Sequence, residues 1–456
     1  MDRGLLERIT KGFSSQSLQY VSMIMCQIKS NKPISHILRQ DMFHIVKDLF
    51  KCLNPSAVPG IDDKTIYDIK PNLDEEVSKL VGYILSDYYK PKPLKQIRIY
   101  SSSKFRNIAI STVRDKLVQV FVYFILTLIY EPEFDPMSYG YRIGKSPQLM
   151  IESLLEELNH HKEEDLYILR LDIENCFPSL NHQVIISELI KKTSSKGFLK
   201  LIKKLISNEF QNAKGKRYGE FRKKGVPLGL NIAPILANII LDQAFDKYVR
   251  KLMAQSDSLI KCYRMADDIV TVFKSQQDID DFLEAIKINL AKYKLSFNKS
   301  KTQIVNLGLS SEESFNILGF NIYRTDSEIK ARTSELKSEQ FNLELTKLID
   351  RNLKPYSKGK PLSNRNLEIL VEKINTKILG FYSYFRYNNN AQNVFDEVAK
   401  VSDYLNESLR NLPLIPEKTE PQITKGLFKP SNIEDDFILE KFLVSVTTPP
   451  ILIELS

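Results

Sequence analysis

Cysteine and histidine are scarce, with four and five residues among 456. Cys26, Cys52, Cys176 and Cys262 stand apart, and no Cys-x-x-Cys or Cys/His cluster occurs. That excludes a zinc-binding module and a disulfide framework, and predicts buried free thiols in a reducing compartment. Long apolar runs are lacking too. The longest, Leu117 to Tyr130, contains Gln119 and is too short to cross a bilayer, so it predicts a buried helix rather than a membrane partner. The opening MDRGLLERITKGF has no signal-peptide core. A cytoplasmic protein is the expectation, and no internal repeat is visible.

What is present is a basic excess, 65 Lys+Arg against 56 Asp+Glu, for a net charge of +9. That balance suits a partner with a phosphate backbone. The length allows two or three domains, each with its own core.

Residues 1–53 are helical in pattern, with Leu18, Val21, Ile24 and Met25 at helical spacing. NPSAVPGID at 54–62 is a break, and a helix is predicted from Leu73 to Tyr89, stopped by Pro91 and Pro93. KQIRIY and SSSKFRNIAI then read as two strands joined by a serine-rich turn. Lys104 and Arg106, two residues apart, share one face of that hairpin. Such a flap can lay two cations on a triphosphate, or it is simply an exposed basic hairpin. SYGYRIGKS at 138–146 is a polar loop carrying Arg142 and Lys145.

LYILRLDIENCFPSL, from Leu166 to Leu180, is a buried strand that ends in Asp172. A carboxylate there needs a partner, because an unpaired buried charge costs several kcal/mol. FRKKGVPLG at 221–229 is a basic Gly/Pro loop, and Ile232, Ile235, Leu236, Ile239 and Ile240 after it recur at helical spacing. The stretch KCYRMADDIVTVF, from Lys261 to Phe273, reads as a hairpin with Asp267 and Asp268 at its turn. Adjacent carboxylates repel and raise a pKa unless a cation joins them, and a hard divalent ion with oxygen ligands is the usual solution. A metal shared between Asp172 and Asp267 meets both needs. A helix over 278–293, basic LSFNKSKTQIV with Lys299 and Lys301, a strand pair broken at Gly319, and helices from about 335 and over Leu367–Tyr387 complete the reading.

Taken in order, these stretches resemble the reverse transcriptases of bacteria, in the branch that includes group II intron enzymes. SAVPGID and KFRNIAISTVRDKLVQ are similar to the family's fingers, and SYGYRIGKS has a counterpart there. LDIENCFPSLNH resembles motif A, KGVPLGLNIAPILANIIL motif B, YRMADDIV motif C, LSFNKSKTQIV motif D and ILGF motif E. ILGFYSYFRYN resembles part of the thumb. The resemblance implies an α+β right-hand polymerase fold: a helical N-terminal extension at 1–53, fingers at 54–165, a palm with an antiparallel sheet at 166–330, a helical thumb at 331–390 and a C-terminal extension at 391–456.

It also implies an RNA-directed DNA polymerase using two Mg²⁺ ions, with an RNA template, deoxynucleoside triphosphates and a DNA product. Asp172, Asp267 and Asp268, with the carbonyl of Ile173, would hold the metals. Lys104 and Arg106 would clamp the phosphates, and Phe177, five residues after Asp172, would lie under the sugar and reject a 2′-hydroxyl. Pro227 and Gly229 would face the nucleotide. Lys301 would protonate the leaving group, or is a solvated surface charge. Arg142, Arg222, Lys223, Lys224, Lys299 and Gly319 would contact nucleic acid. Three departures from the family pattern, Leu228 between Pro227 and Gly229, Ala233 before Pro234, and Met265 before Ala-Asp-Asp, bear on templating and fidelity. The chain is most similar to stand-alone defence-associated enzymes, which implies a dedicated non-coding RNA and leaves self-assembly open. Template-independent or protein-primed synthesis, and a maturase-like RNA-binding protein, remain alternatives.

Overall fold

The computed structural model describes Glu7, residues 10–30, 32–101, 104–212, 215–219, 223–358 and 363–385, and six positions from Lys400 to Ser408. Arg222, the side chain of Lys104 and nearly all of the expected C-terminal extension lie outside the described residues. The described chain forms two compact units. One comprises residues up to 146 together with 169–303; the other comprises 147–168 and the residues from 304 onward.

The first unit is built around the helix Val113–Tyr130, which is apolar on every side and therefore buried on every side. Thr112 caps its start by accepting from the Asp115 amide at 3.2 Å. Its polar residues are satisfied: Asp115 accepts from the Tyr89 hydroxyl at 2.6 Å, and Gln119 donates to Ser111 at 2.8 Å. Among the described residues no helix is long and apolar enough to cross a membrane. The expected N-terminal helical region resolves into helices Ser15–Lys29 and Met42–Leu49. The helix expected to reach Tyr89 ends at Leu85. The chain turns out through Asp87 in the left-handed region, held there by Lys204, well before the prolines.

Strands β1 (Leu94–Ser101) and β2 (Lys104–Ile110) pair antiparallel as predicted, and Arg106 is exposed opposite Ile99. Strand β4 (Phe210–Gln211) adds to β1 in parallel and carries β5 (Arg217–Tyr218) on its far side. A second sheet holds β3 (Tyr167–Asp172), β6 (Leu259–Met265) and β7 (Asp268–Phe273), with β7 between the other two. The predicted hairpin is therefore present. Met265 pairs with Asp268, which leaves Ala266 and Asp267 as a two-residue turn. Ala266 has φ 57°, the left-handed conformation that tight hairpin turns demand. Behind this sheet, helices Ala233–Leu241 and Lys247–Met253 run on through a π-helical segment, Asp242–Asp246. Helix Gln277–Lys292 supports that segment, with Asn289 donating to the Ala244 carbonyl at 2.8 Å.

In the second unit, β9 (Ser314–Ile317), β10 (Phe320–Arg324) and β11 (Ile329–Thr333) form an antiparallel sheet; β8 (Gln303–Asn306) precedes them. Asn159, on helix Pro147–His160, brackets the Ile329 backbone with two 2.8 Å hydrogen bonds. Gly319 sits in the β9–β10 turn at φ 85°, and a Cβ there would lie 3.0 Å from Lys337 and 3.1 Å from Phe385. Conformation and packing thus account for this glycine. Helices Glu335–Leu353 and Asn364–Phe385 pack through stacked Phe341 and Phe381 rings. All four cysteines are free, as expected; Cys176 and Cys262 are buried, whereas Cys26 is exposed.

Candidate active site

Asp172 ends β3, Asp267 occupies the β6–β7 turn and Asp268 opens β7. The Ile173 amide donates to the Asp267 carbonyl at 3.0 Å, which ties the end of β3 to the turn. Three carboxylates from two distant stretches are thereby brought to one sheet edge. Burial raises the Asp267 carboxyl above its ordinary pKa, and the charge of Asp172 pushes the same way. Burial also raises Asp268, against the pull of Arg170 and with repulsion from Asp267 and Asp172 adding to it.

Two cations hold the outer acids. Lys301 donates to Asp172 at 2.6 Å, and Arg170 lies 3.4 Å from Asp268. Among the described residues no three His, Cys, Asp or Glu side chains already lie close enough to form a metal-holding group. The donor chemistry nevertheless fits hard divalent cations: oxygen-only ligands, half-buried, whose mutual repulsion a metal would relieve. Arg170 went unrecognised in the sequence, although strand alternation puts it on the face of Asp172.

The hairpin is positioned from behind by Arg264. Its side chain and that of Asp246 are both 0% exposed. The guanidinium donates to both Asp246 oxygens (2.7 and 2.5 Å), to Asn238 at 3.1 Å, to Ser138 at 2.8 Å and to the Ala266 carbonyl at 3.0 Å. Burial opposes the guanidinium charge, but Asp246 outweighs it and the pKa lies above the ordinary value. Main-chain bonds from Arg264 to Met137 and from Tyr139 to Arg264, both 2.8 Å, add the 137–140 loop. A Cβ on Gly140 would lie 2.3 Å from the Ala266 nitrogen, so only glycine lets this loop press against the turn.

The glycine/proline loop joins the site through its backbone. Val226 donates to the Phe177 carbonyl at 2.9 Å, and Ala109 of β2 donates to the Leu228 carbonyl at 2.6 Å. Gly229 has φ 100°, and a Cβ there would strike the Ala109 carbonyl at 2.4 Å. Half-buried Phe177 and buried Pro227 are thus linked to the strand that carries Arg106. Lys223, Lys224 and Lys299 are exposed.

Arg142 is a correction. Its side chain is buried against Glu131 (2.9 Å) and donates to the Asp135 and Ser138 carbonyls at 2.7 and 3.1 Å, under no requirement for nucleic acid. A polar-looking loop concealed an internal anchor.

A family model described as reverse transcriptase (RNA-dependent DNA polymerase) matches residues 90–322. The chain belongs to that family. The group II intron-encoded protein LtrA of Lactococcus lactis is 26% identical over 257 residues, 56% of this chain and 39% of that protein. An uncharacterized 91 kDa protein in a cob intron of Schizosaccharomyces pombe is 27% identical over 245 residues, 54% of this chain and 29% of its own length. Protein YkfC of Escherichia coli is 25% identical over 330 residues, 64% of this chain and 84% of YkfC. The match thus spans well under half of the first two relatives.

The Arg264 cluster generates a stability prediction. Arg264→Met leaves Asp246 buried without a counter-charge and is expected to cost about 3–5 kcal/mol. The double variant Arg264→Met/Asp246→Leu removes both charges and should cost less than the single one. Urea unfolding measures both, and a double variant as unstable as the sum of its parts would show that the two residues are not coupled.

Proposed function

We propose that the chain is an RNA-directed DNA polymerase whose active centre is the β3/β6–β7 edge, with fingers, palm and thumb in the order its motifs follow. The observation that carries this is the convergence of Asp172, Asp267 and Asp268 at one sheet edge in a chain of the reverse transcriptase family. Asp172, Asp267, Asp268 and the Ile173 carbonyl would hold two Mg²⁺ ions. The chemistry those ions supply when bound is activation of the primer 3′-hydroxyl and stabilisation of the departing pyrophosphate. Arg106, exposed on β2, and Lys104 pair with the triphosphate. The 3′-oxygen bonds to the α-phosphorus as the bond to pyrophosphate breaks. Lys301, a donor already on Asp172, keeps a proton in the site for that leaving group. Phe177 stands against the sugar, and Pro227 and Gly229 shape the nucleotide's other side. Exposed Lys223, Lys224 and Lys299 are available to the nucleic-acid backbone.

The finer reading is synthesis on a dedicated structured RNA, in antiphage defence. Its support is the resemblance to stand-alone bacterial enzymes and the dispersal of exposed cations over separate stretches. Sequencing the nucleic acid that copurifies with the protein tests it: one RNA enriched far above its cellular abundance supports the reading, and a profile that follows abundance refutes it.

Asp267→Asn is expected to abolish primer extension on an RNA template. The same change should stabilise the metal-free protein. A carboxyl whose folded pKa is raised favours folding below its unfolded pKa and loses that contribution as pH rises through the folded value. Near neutral pH the ionised Asp267 is therefore a burden, and the amide should raise the melting temperature by about 2 °C. Calorimetry without added metal measures the shift; a lower melting temperature would contradict this electrostatic account.

Phe177→Val should admit ribonucleotides, raising their incorporation relative to deoxynucleotides by about tenfold or more, since the excluded group is a single hydroxyl. Extension with each triphosphate alone measures it, and unchanged discrimination would return Phe177 to a packing role.

A further inference from the structure

Tyr141 follows the glycine pressed against the catalytic turn and precedes the buried anchor Arg142. Each neighbour is fixed. The Gly140 carbonyl accepts from Asn238 at 2.7 Å, and Arg142 is held by Glu131 and two carbonyls. Between these anchors Tyr141 adopts φ 56°, a left-handed conformation that a bulky side chain rarely takes. Strain of this kind persists where the surroundings over-determine it, and it gathers at functional sites.

Tyr141 is 45% exposed, although both flanking residues are anchored. Its hydroxyl has no hydrogen-bond partner among the described residues. The groups within electrostatic reach of it are Asp267, Cys176 and Arg106. These come from three elements: the metal-holding turn, the segment carrying Phe177, and the strand that faces the triphosphate. A phenol is a protonated donor near neutral pH.

We infer that Tyr141 is a nucleotide-contacting specificity residue, its ring forming a second aromatic wall of the site and its hydroxyl donating to the incoming deoxynucleoside triphosphate. This rests on the polymerase reading above. A rigid backbone, a free donor and a half-exposed ring are what preorganised recognition requires. The contact is made in the ground state as well as in the reaction, so its loss should weaken nucleotide binding and leave turnover nearly intact.

The test uses the full chain on an oligo(dT)-primed poly(rA) template, with dTTP varied. Tyr141→Phe, which removes one hydrogen bond, should raise KM for dTTP about fivefold with kcat within about twofold. Tyr141→Gly removes the ring and also the backbone strain. It should raise KM by about twentyfold while the melting temperature does not fall, a separation that a structural role would not produce. Titration of a fluorescent mant-dATP onto each protein with a primed poly(rU) template, in Ca²⁺ instead of Mg²⁺, reads affinity without turnover and should show the same order. Unchanged KM and unchanged mant-dATP affinity in both folded variants would overturn the inference while wild-type synthesis upheld the polymerase reading. A wild-type chain that makes no DNA, or an active Asp267→Asn variant, would overturn the polymerase reading itself.

Discussion

A guanidinium with no access to solvent braces the turn at the acidic edge of the β3/β6–β7 sheet. Arg264 satisfies all of its donors within the protein, on Asp246, Asn238, Ser138 and the Ala266 carbonyl. Such a pair is weak evidence for stability, because desolvating two charges offsets most of their attraction. Its effect is geometric. A planar fork with five fixed directions holds one arrangement of a helix, a loop and a hairpin turn together. A lysine, with one point charge on a flexible stem, could reach Asp246 but could not also hold Asn238, Ser138 and the turn carbonyl.

That rigidity is needed because the edge it supports is electrostatically unfavourable. Burial raises the Asp267 and Asp268 carboxyls, and repulsion from neighbouring carboxylates adds to it. Lys301 and Arg170 offset part of the repulsion from opposite flanks, each drawing one carboxylate toward itself. Neither cation reaches the middle acid at hydrogen-bond distance. The Asp267 backbone is itself held, by the Ile173 amide on one side and by the left-handed Ala266 on the other. The backbone therefore holds in place a charge that the side chains leave under-compensated, which is the condition under which a divalent cation gains most by binding.

Much of this edge was legible in the sequence, and the reasons it was legible are physical. β6 and β7 alternate apolar and β-branched residues, and the length between them admits only a tight turn, so Asp267 and Asp268 had to lie near its tip. Asp172 was recognisable because an apolar run ended in an acid. Arg264 was not recognisable. It is two residues from Cys262 on the buried face of β6, but a lone arginine in a strand normally points outward. Its partner Asp246 is reached only through folding, from a helix whose sequence reads as solvent-exposed at that point. Arg142 failed in the opposite sense: a loop rich in glycine and charge implied a surface, whereas Glu131 and the carbonyls around it take up the guanidinium.

The π-helical segment explains how one helix can offer Arg264 two partners. On a regular α-helix with 3.6 residues per turn, positions eight apart are about 80° from each other around the axis. Asn238 and Asp246 are eight apart, and an uninterrupted helix would turn one of them away from the hairpin. The wider turn over Asp242–Asp246 removes part of that rotation, so both side chains meet the same guanidinium. The carbonyl misalignment that such a turn creates is met by Asn289, which donates to Ala244 from the neighbouring helix. Asp242, at the start of the same segment, accepts from the Asp135 amide at 3.0 Å and so anchors the entrance to the 137–140 loop. One local departure from α-helical geometry therefore supplies the counter-ion of Arg264 and the anchor of the loop that presses on Ala266, and keeps the counter-ion on the side of the amide partner Asn238. A change that restored regular helix here would misplace the β6–β7 turn without altering any residue in it.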